Sequence, residues 1–388
     1  VSHQVGFTDE GKDEVVTWNS DGETVTLTSQ AGEGRICRWT GLPDDAVVSA
    51  DTKTATFVVR GPVACSVRTV ATVPQDASDY LRYGLLAQYD ALENAGIGAF
   101  DSATNVWTDL AGKGGDIPVT NVQGGLWRDN ALYLAGAHAP SWGTGLSLTT
   151  PKKISAAQWT VELVLRTPGL SFSYAWAMQG SASNYSYWRA FFEANANGWR
   201  QTVNNNTVNT ANSTYKFDQD IKVVSRYDGA KHYLSTYTNG VLWVAVGGTI
   251  ASGHLSSQLG FLQSFGTDAR LYTARVYERC LSDVEIGYNT ALDQMRFFDA
   301  RGSISLPEGF RFDANGHLEV RVRIAGQNDA QVSSDGSTWV TASTERWFLQ
   351  DAPVTIRAKV GSGKSVGKWT GVPGYATVSP DCTTVSFK

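Results

Sequence analysis

Apolar and polar residues alternate with a period of two along much of the chain, in short runs separated by turn residues. The clearest runs are GLLAQYD (84–90), ALYLAG (131–136), WTVELVLRT (159–167), YWRAFFEA (187–194), KVVSRYD (222–228), HYLSTYTNGVLWVAV (232–246) and ARLYTARVYE (269–278). This alternation is typical of half-buried strands, and Asn-Gly and Asp-Gly pairs between the runs predict tight turns. Helical spacing is clear after Ser282, where Ser282 and Glu285 form a capping-box pattern. The chain is therefore predicted to be all-β, a sandwich or jelly roll with one short helix near the end of its central part.

The two ends of the chain contain related segments. Residues 35–57 (RICRWTGLPDDAVVSADTKTATF) and 365–387 (SVGKWTGVPGYATVSPDCTTVSF) share a Trp-Thr-Gly-x-Pro turn and several later residues at a constant offset of 330. Upstream, VTLTSQAGEG at 25–34 parallels VTIRAKVGSG at 354–363. One small β-unit is therefore predicted to occur twice, on either side of an inserted domain.

This repeat sets the predicted domain boundaries. Residues 1–76 and 302–388 are assigned to the two small β-repeat domains, and 79–301 to the domain between them. Trp39 and Trp369 occupy equivalent repeat positions and are predicted to be core aromatics, because small domains need bulky buried side chains.

Composition narrows the class of protein. The chain has 13 Trp, 15 Tyr and 15 Phe beside 2 Met, which is typical of secreted β-proteins, and its net charge is −5 with no basic block. A nucleic-acid partner is therefore not expected. No run of 18 apolar residues is present, so no membrane span is predicted. The first residues lack both a starting Met and a signal-peptide pattern, which favours a mature or excised segment.

Four cysteines and five histidines provide few candidates for metal or disulfide chemistry. Cys37 and Cys65 are predicted to point inward, and a bridge between them is possible. Cys280 is predicted to be a buried thiol, and Cys382 has no expected partner. Few structural disulfides suit an exported bacterial protein.

Five segments occur in an order that resembles the bacterial laminin-G-like jelly roll of the concanavalin A-like lectin/glucanase superfamily. They are GLLAQYDA, NVWTDLAGKGGD (105–116), WTVELVLRT, VVSRYDGAKHYLSTYTNG and ARVYERCLSDVEI (274–286). The family's closing pattern R-x-Y-x-R-x-L-S-x-x-E-I is matched by Arg275, Tyr277, Arg279, Leu281, Ser282, Glu285 and Ile286. The resemblance implies a central concanavalin A-like jelly-roll β-sandwich.

The flanking copies resemble the divergent internalin-type B-repeat, whose signature includes a W-T-G-x-P-like turn. This resemblance implies a modular bacterial surface or secreted protein, in which small β-repeats space a recognition domain away from the cell. The second copy stops at Lys388, where the first continues through 58–73. We therefore expect the chain to be part of a longer polypeptide.

Catalytic residues are not predicted. Glycoside hydrolysis requires two carboxylates, which glycosidases of this superfamily place as E-x-D-x-x-E on one strand. Glu162 and Glu193 each stand alone on their strands and are interpreted as hydrogen-bonded or solvated residues. The chain also lacks a G-x-S-x-G elbow and the His or Cys spacings typical of zinc sites.

Calcium is the one cofactor that the resemblance suggests, because laminin-G-like jelly rolls often bind one Ca²⁺. The segment 89–116 contains several aspartates among Gly and Asn residues, and hard oxygen ligands suit this ion. Asp90 and Asp109 are the candidate ligands. The alternative is that Asp109 caps a turn.

An aromatic segment at 172–199 (FSYAWAMQGSASNYSYWRAFFEANANGW) is the main functional lead. Sugars stack on aromatic rings and bond to amide or guanidinium groups. Tyr185, Tyr187, Arg189 and Arg200 are the predicted ligand-binding residues, and the Asn-rich segment 204–213 adds amides. Trp188, Phe192 and Trp199 are predicted to belong to the core.

The leading hypothesis is a non-catalytic recognition module, extracellular or on a bacterial surface, that binds a glycan or a host or cell-surface polysaccharide. A structural or adhesive stalk that binds a protein or nothing is the first alternative. A divergent glycoside hydrolase or lyase, or an accessory domain of one, is the second.

Overall fold

The fold comes from a computed structural model of the chain. The residues that it describes are 1–9, 12–31, 35–43, 45–49, 51–71, 77–95, 106–119, 125–128, 131–134, 148–166, 173–179, 190–195, 198–203, 206–209, 219–247, 255–263, 269–298, 304–324, 330–341, 345–366 and 368–388. They form two compact units, Val1–Tyr80 with Gly84–Ser303, and Leu81–Tyr83 with Ile304–Lys388. In the described part of the chain, no helix is long and apolar enough to cross a bilayer.

The first unit begins with a small β-structure of seven strands. They are β1 (Ser2–Asp9), β2 (Val15–Ser20), β3 (Thr24–Thr28), β4 (Arg35–Thr40), β5 (Val47–Val48), β6 (Thr54–Val58) and β7 (Val63–Ala71). One sheet has the order β2-β1-β7-β4 and the other the order β3-β6-β5. Strand β7 lies in the middle of the first sheet, parallel to β1 and antiparallel to β4. Trp39 on β4 is 2% exposed and packs in a core with Phe57 and Val67.

The larger part of the first unit is a β-sandwich. A 3-10 turn (Ala77–Asp79) precedes its strands and helices, which are β8 (Leu85–Asp90), α1 (Ala91–Ala95), β9 (Val106–Trp107), β10 (Ile117–Pro118), β11 (Gly125–Arg128), β12 (Ala131–Leu134), β13 (Leu148–Thr149), β14 (Ile154–Ala156), β15 (Trp159–Arg166), β16 (Ser173–Gln179), β17 (Ala190–Asn195), β18 (Gly198–Val203), β19 (Asn206–Asn209), β20 (Ile221–Asp228), β21 (Tyr233–Thr238), β22 (Val241–Gly247), β23 (Leu255–Gln263), β24 (Ala269–Tyr277) and α2 (Asp283–Phe297). The predicted all-β sandwich is confirmed.

Two large sheets enclose the core of this sandwich. The eight-stranded sheet has the order β11-β12-β24-β15-β20-β21-β22, with β8 also paired to β24. The seven-stranded sheet has the order β13-β23-β16-β17-β18-β19, with β14 also paired to β23. Trp159, Leu163 and Phe261 are fully buried members of one apolar cluster that draws on both sheets. Trp159, Val161, Leu163 and Leu165 of β15 all belong to this cluster, so alternate residues of this strand face the core, as the period-two pattern predicts.

Helix α2 begins where the sequence predicts. The Ser282 side chain accepts a hydrogen bond from the Glu285 backbone N (3.2 Å), and Glu285 Oε2 accepts one from the Ser282 backbone N (2.9 Å). Both halves of the capping box are therefore present. The five-residue helix α1 is an addition to the single helix predicted.

The second unit consists of eight short strands. They are β25 (Phe310–Phe312), β26 (Leu318–Arg323), β27 (Ala330–Ser333), β28 (Val340–Thr341), β29 (Glu345–Leu349), β30 (Val354–Ala358), β31 (Thr377–Val378) and β32 (Thr384–Phe387). Their sheets have the orders β25-β26-β29 and β28-β27-β30-β32-β31.

Matching hydrogen bonds occur in the two predicted repeat copies. Trp39 Nε1 donates to the Thr52 carbonyl at 2.8 Å, and Trp369 Nε1 donates to the Cys382 carbonyl at the same distance. The Asp21 N–H donates to the Val1 carbonyl in the first copy, as Gln350 does to Leu318 in the second. The three-domain boundaries 1–76, 79–301 and 302–388 stay a prediction, although the apolar cluster around Trp39 and that around Trp159 share no residue.

All four cysteines are free thiols. Cys37 and Cys65 are buried, as their strand positions predict, but they are not bridged, so the disulfide considered for them is wrong. Burial raises the pKa of both thiols, that of Cys65 to about 11.

Candidate functional site

The outer face of the eight-stranded sheet carries charged residues that are fully buried. In β15 the residues on either side of Glu162 face the core, and Glu162 itself lies opposite Arg275 of β24. Helix α2 covers this face and contributes Asp293. Lys222 of β20 completes the set, and all four side chains have no exposed surface. We call these four residues the charge cluster.

Close ion pairs hold the charge cluster together. Lys222 Nζ lies 3.0 Å from Glu162 Oε1 and 2.8 Å from Asp293 Oδ2. Arg275 donates from Nε to Glu162 (2.8 Å) and from both terminal nitrogens to Asp293 (2.9 and 2.7 Å). Asn289 of α2 donates to Glu162 at 2.8 Å. Two cations therefore balance two carboxylates, and removal of any one would leave an uncompensated buried charge.

Burial and ion pairing shift the pKa values of three groups in and beside the charge cluster, namely Asp293, Arg275 and Tyr80. Burial favours a raised pKa for Asp293, but Arg275 and Lys222 outweigh it and hold the pKa below its usual value. Burial likewise favours a lower pKa for Arg275, but Asp293 and Glu162 hold it well above normal. Tyr80 donates to Asp293 at 2.7 Å, and burial holds its pKa well above normal. The charge cluster therefore has a structural role, because it connects the eight-stranded sheet to helix α2.

The sequence predicted only part of this connection between the sheet and α2. Glu162 is hydrogen-bonded, as predicted, and has no surface through which a substrate can approach it. The R-x-Y-x-R-x-L-S-x-x-E-I pattern contributes to the same connection. Its Arg279, which follows β24, forms a bidentate ion pair with Glu285 of α2 at 2.9 and 2.6 Å. Lys222 and Asp293 were missed. The sequence contains one weak signal for each. Lys222 begins an otherwise apolar strand, and Asp293 lies four residues after Asn289, on the same face of α2.

The two candidate calcium ligands are already engaged by protein donors. Asp90 Oδ1 accepts backbone N–H bonds from Leu92 (2.9 Å) and Glu93 (3.2 Å), and its Oδ2 accepts from Arg296 at 2.9 Å. Burial raises the pKa of Asp90, although Arg296 acts against this. A carboxylate that caps α1 and pairs with a guanidinium has no free oxygen directed at a cation.

Asp109 holds a turn, as the alternative interpretation predicts. Its Oδ1 accepts from the backbone N–H groups of Gln88 (2.9 Å) and Ala111 (3.0 Å), and its Oδ2 from those of Gly114 (2.7 Å) and Gly115 (3.0 Å). These donor sets do not fit a calcium site at Asp90 and Asp109. Within the described ranges, no cluster of three or more His, Cys, Asp or Glu residues is arranged to hold a metal ion.

Most of the predicted ligand-binding residues lie outside the described part of the chain. This applies to Tyr185, Tyr187 and Arg189, and also to Trp188 and most of the Asn-rich segment. Arg200 lies in β18, between Glu193 of β17 and Asn209 of β19 in the strand register. The four-residue ligand face stays a prediction.

The register of the seven-stranded sheet nevertheless assigns residues to its two faces. Phe261 of β23 is fully buried in the core and lies opposite Trp176, which in turn lies opposite Phe192. Residues opposite one another in antiparallel strands share a face, so Phe192 belongs to the core face, and its two neighbours Phe191 and Glu193 belong to the outer face.

The same reasoning extends across β18 and β19. Phe192 lies opposite Gln201 of β18, which lies opposite Val208 of β19, so these three residues share the core face. The cross-strand pairs on either side of them share the outer face. We define the outer row as the six residues that these registers place together: Phe191, Glu193, Arg200, Thr202, Thr207 and Asn209. One aromatic residue, two charged residues of opposite sign and three neutral polar residues are thereby brought to one sheet surface.

Comparison with known proteins finds structural similarity at low sequence identity. No protein-family model and no curated protein matches the chain. The Trypanosoma rangeli sialidase is 14% identical over 58% of this chain and 35% of that one, with a TM-score of 0.39. The chain thus spans about a third of that sialidase.

Two shorter structures are also similar. The CBM40 domain of Ruminococcus gnavus IT-sialidase, bound to alpha2,6 sialyllactose, is 14% identical over 36% of this chain and 84% of that one, with a TM-score of 0.30. The heptameric SAP-like pentraxin of Limulus polyphemus is 11% identical over 44% of this chain and 86% of that one, with a TM-score of 0.32. The laminin-G-like and internalin-type resemblances stay predictions.

Proposed function

We propose that the sandwich is a non-catalytic recognition module that binds a carbohydrate on the outer face of its seven-stranded sheet. The observation that carries this proposal is the strand register, which brings the outer row together on three adjacent strands. Sugars present C–H faces to aromatic rings and hydroxyl groups to carboxylate, guanidinium and amide groups. Phe191, Arg200, Glu193 and Asn209 are residues of those chemical types.

The eight-stranded sheet supports the choice of face by contrast. Its outer face is covered by α2 over the charge cluster, whose side chains have no exposed surface. A ligand therefore cannot reach those residues without displacing the helix and separating buried ion pairs, which would cost about 3–5 kcal/mol for each uncompensated charge. Accessible ligand chemistry is better sought on the other sheet.

The proposed ligand is a glycan or a host or cell-surface polysaccharide, and the proposed location is extracellular or on a bacterial surface. Both follow the laminin-G-like resemblance. Tyr185, Tyr187 and Arg189 directly precede β17 in the sequence, and we propose that they extend the binding surface begun by Arg200.

A glycan array probed with the full chain, with and without calcium, is the first test, and it includes sialyllactose as a named probe. Hits are then titrated with Arg200→Ala and Tyr187→Ala. A millimolar ligand gains only about 4 kcal/mol, so the loss of one charged hydrogen bond, worth about 1.5–3 kcal/mol, should abolish detectable binding.

The matched control is Tyr233→Ala, because Tyr233 is a 40% exposed aromatic on the eight-stranded sheet. This variant should bind with unchanged affinity, and all three variants should keep the wild-type melting temperature. Unchanged affinity in the folded Arg200 and Tyr187 variants would overturn the proposed face. An array without any hit would favour the stalk alternative, and cleavage of a probe would favour the enzyme alternative.

A further inference from the structure

The edge strand β2 of the first repeat exposes an unusual amount of apolar side chain. Trp18 is 72% exposed, and Val15 and Val16 are 58% and 42% exposed. Strand β2 is the terminal strand of its sheet and pairs with β1 alone among the strands that the structure describes. Its other edge therefore presents backbone N–H and C=O groups to solvent, in a form that a further strand can pair with.

In the second repeat, Trp347 occupies the position equivalent to Trp18, and its ring is covered by side chains of the same repeat. Trp347 of β29 lies opposite Arg321 of β26, as Trp18 lies opposite Gln4. The guanidinium carbon of Arg311 lies 4.4 Å from the centre of the Trp347 ring, and that of Arg321 lies at 6.0 Å. The second repeat therefore covers its tryptophan with cations, while the residue opposite Trp18 is a neutral glutamine.

A carboxylate completes the cationic contact in the second repeat. Arg311 Nε donates to Glu319 Oε2 at 2.6 Å while its guanidinium group lies over the Trp347 ring. Ring and carboxylate together thus hold one guanidinium, the first through its π face and the second through a charged hydrogen bond.

Among its described side chains, the first repeat has the ring and the carboxylates without a cation over the ring. The segment 12–23 contains four carboxylates and one lysine, and that lysine, Lys12, pairs with Asp9 at 3.3 Å. The Glu14 carboxylate occupies the space that a Cβ on Gly6 would need, so it lies on the same sheet face as Gln4 and Trp18. Gly6 and Gln4 are two residues apart on β1, about 7 Å along the strand, so the Glu14 carboxylate and the Trp18 ring lie near each other on this face.

We propose that the β2 edge binds an extended basic peptide segment of a partner protein as an added strand. An Arg or Lys side chain of that segment lies over the Trp18 ring and bonds to the Glu14 carboxylate. Backbone pairing with β2 supplies the affinity, and the ring and carboxylate select the charge. This site is distinct from the carbohydrate face proposed for the sandwich.

Charge favours a cation over a sugar on this ring. A neutral sugar can form hydrogen bonds with the acidic residues that flank β2 but has no net charge for them to attract, whereas a guanidinium is attracted by both the ring and the carboxylates. Binding should therefore weaken as salt concentration rises, because these groups are exposed and screened.

The probe is a ten-residue peptide of alternating Arg and Thr, titrated into the full chain by calorimetry. A peptide with citrulline in place of Arg keeps the shape and removes the charge. We expect the Arg peptide to bind and the citrulline peptide to bind at least about fivefold more weakly. Trp18→Ala should weaken the Arg peptide by at least about fivefold and Glu14→Gln by about threefold.

Two controls separate this site from other exposed groups. Tyr375→Ala removes a 71% exposed aromatic of the second repeat and should leave peptide affinity unchanged. An Arg peptide methylated on alternate backbone nitrogens should lose binding if it pairs with β2 as a strand. Circular dichroism of each variant checks that the fold is intact.

Several outcomes would overturn the proposal. They are equal binding of the Arg and citrulline peptides, an unchanged affinity of Trp18→Ala, retained binding of the methylated peptide, and no binding of the Arg peptide at all. Displacement of the peptide by a neutral glycan would reassign the ring to sugar binding. A concentration-dependent dimer in sedimentation that Trp18→Ala abolishes would reassign the edge to self-association.

Discussion

The two repeats share a local framework and differ in how deeply it is buried. Both place a tryptophan N–H on the carbonyl of a residue with positive φ, Thr52 (61°) in the first copy and Cys382 (57°) in the second. Trp39 is nevertheless 2% exposed, whereas Trp369 is only partly buried. The turn is thus conserved between copies while the core around it is not.

In the first copy, strand β7 contributes to the burial of Trp39. It pairs with β1 and β4 and brings Cys65 and Val67 into the apolar cluster around Trp39. In the second copy, the segment around Trp369 is not part of a strand, and Val372 and Phe387 also remain partly buried. Within residues 1–388, the Trp39 ring therefore has more buried area than the Trp369 ring.

Truncation of the equivalent tryptophans should show the largest difference. Trp39→Ala should lower the free energy of unfolding of its copy by about 3–5 kcal/mol, because a fully buried ring leaves a cavity. Trp369→Ala should cost about 2 kcal/mol, because its ring has less area to lose. Hydrogen exchange of the full chain, followed by mass spectrometry, measures the two copies separately. Equal losses would contradict the role given to β7.

The glycines of the shared turn offer a second matched pair. Gly41 and Gly371 have φ values of 74° and 71°, so alanine is strained at both. A Cβ on Gly41 would also collide with the Ala64 carbonyl of β7, whereas a Cβ on Gly371 meets no atom within 4 Å. We expect Gly371→Ala to cost about 1–2 kcal/mol and Gly41→Ala about 1 kcal/mol or more beyond that. Thermal unfolding with the same exchange assay gives the ranking, and the reverse order would show that β7 leaves room here.

The serines of the turn should behave alike. Ser49 Oγ donates to Asp51 at 2.6 Å and accepts from the Thr54 N–H at 2.9 Å, and Ser379 makes the same two bonds at the same distances with Asp381 and Thr384. Alanine at either position should cost about 1 kcal/mol. A difference above about 1 kcal/mol between the two copies would mean that the local framework is not equivalent.

The rates of thiol labelling should show the same difference in burial between the two copies, without any substitution. Burial raises the pKa of Cys65 to about 11, so little of the reactive thiolate is present at pH 8. Cys382 is partly exposed and should react with iodoacetamide before Cys65. The labelling of Cys65 should accelerate as the pH rises towards 11, because the thiolate fraction increases in that direction. Peptide mass spectrometry of a pH series checks this, and equal rates for both cysteines at pH 8 would be the contrary result.

Local signals were sufficient for much of the fold. Period-two alternation predicts strands such as β15 and β20, and the Ser282–Glu285 pair predicts the start of α2, because each depends on residues close in the chain. Asp109 illustrates where such reasoning becomes ambiguous. The same carboxylate suits a calcium ligand or a turn cap, and only the positions of four backbone N–H groups distinguish the two.

For the candidate site, the sequence predicts which residues of one strand share a face, but not which strands are neighbours. Alternation separates Phe192 from Phe191 and Glu193 within one strand, but it cannot show which strands are neighbours. Arg200 and Asn209 join Glu193 because β17, β18 and β19 are adjacent in register. The ion pair of Lys222 with Asp293 likewise joins a strand and a distant helix, and the local patterns around the two residues do not show that they are partners.

The sequence by itself determined the elements of this protein, namely its alternating strands, its capped helix and the repeated Trp-Thr-Gly-x-Pro turn. These follow from backbone geometry and hydrogen bonds over a few residues. Only the tertiary structure decided that Trp39 is buried while Trp369 is partly open, and that Trp347 is covered by arginines while Trp18 is exposed. The physical reason is that burial and charge pairing are set by contacts between distant segments, which identical local motifs do not specify.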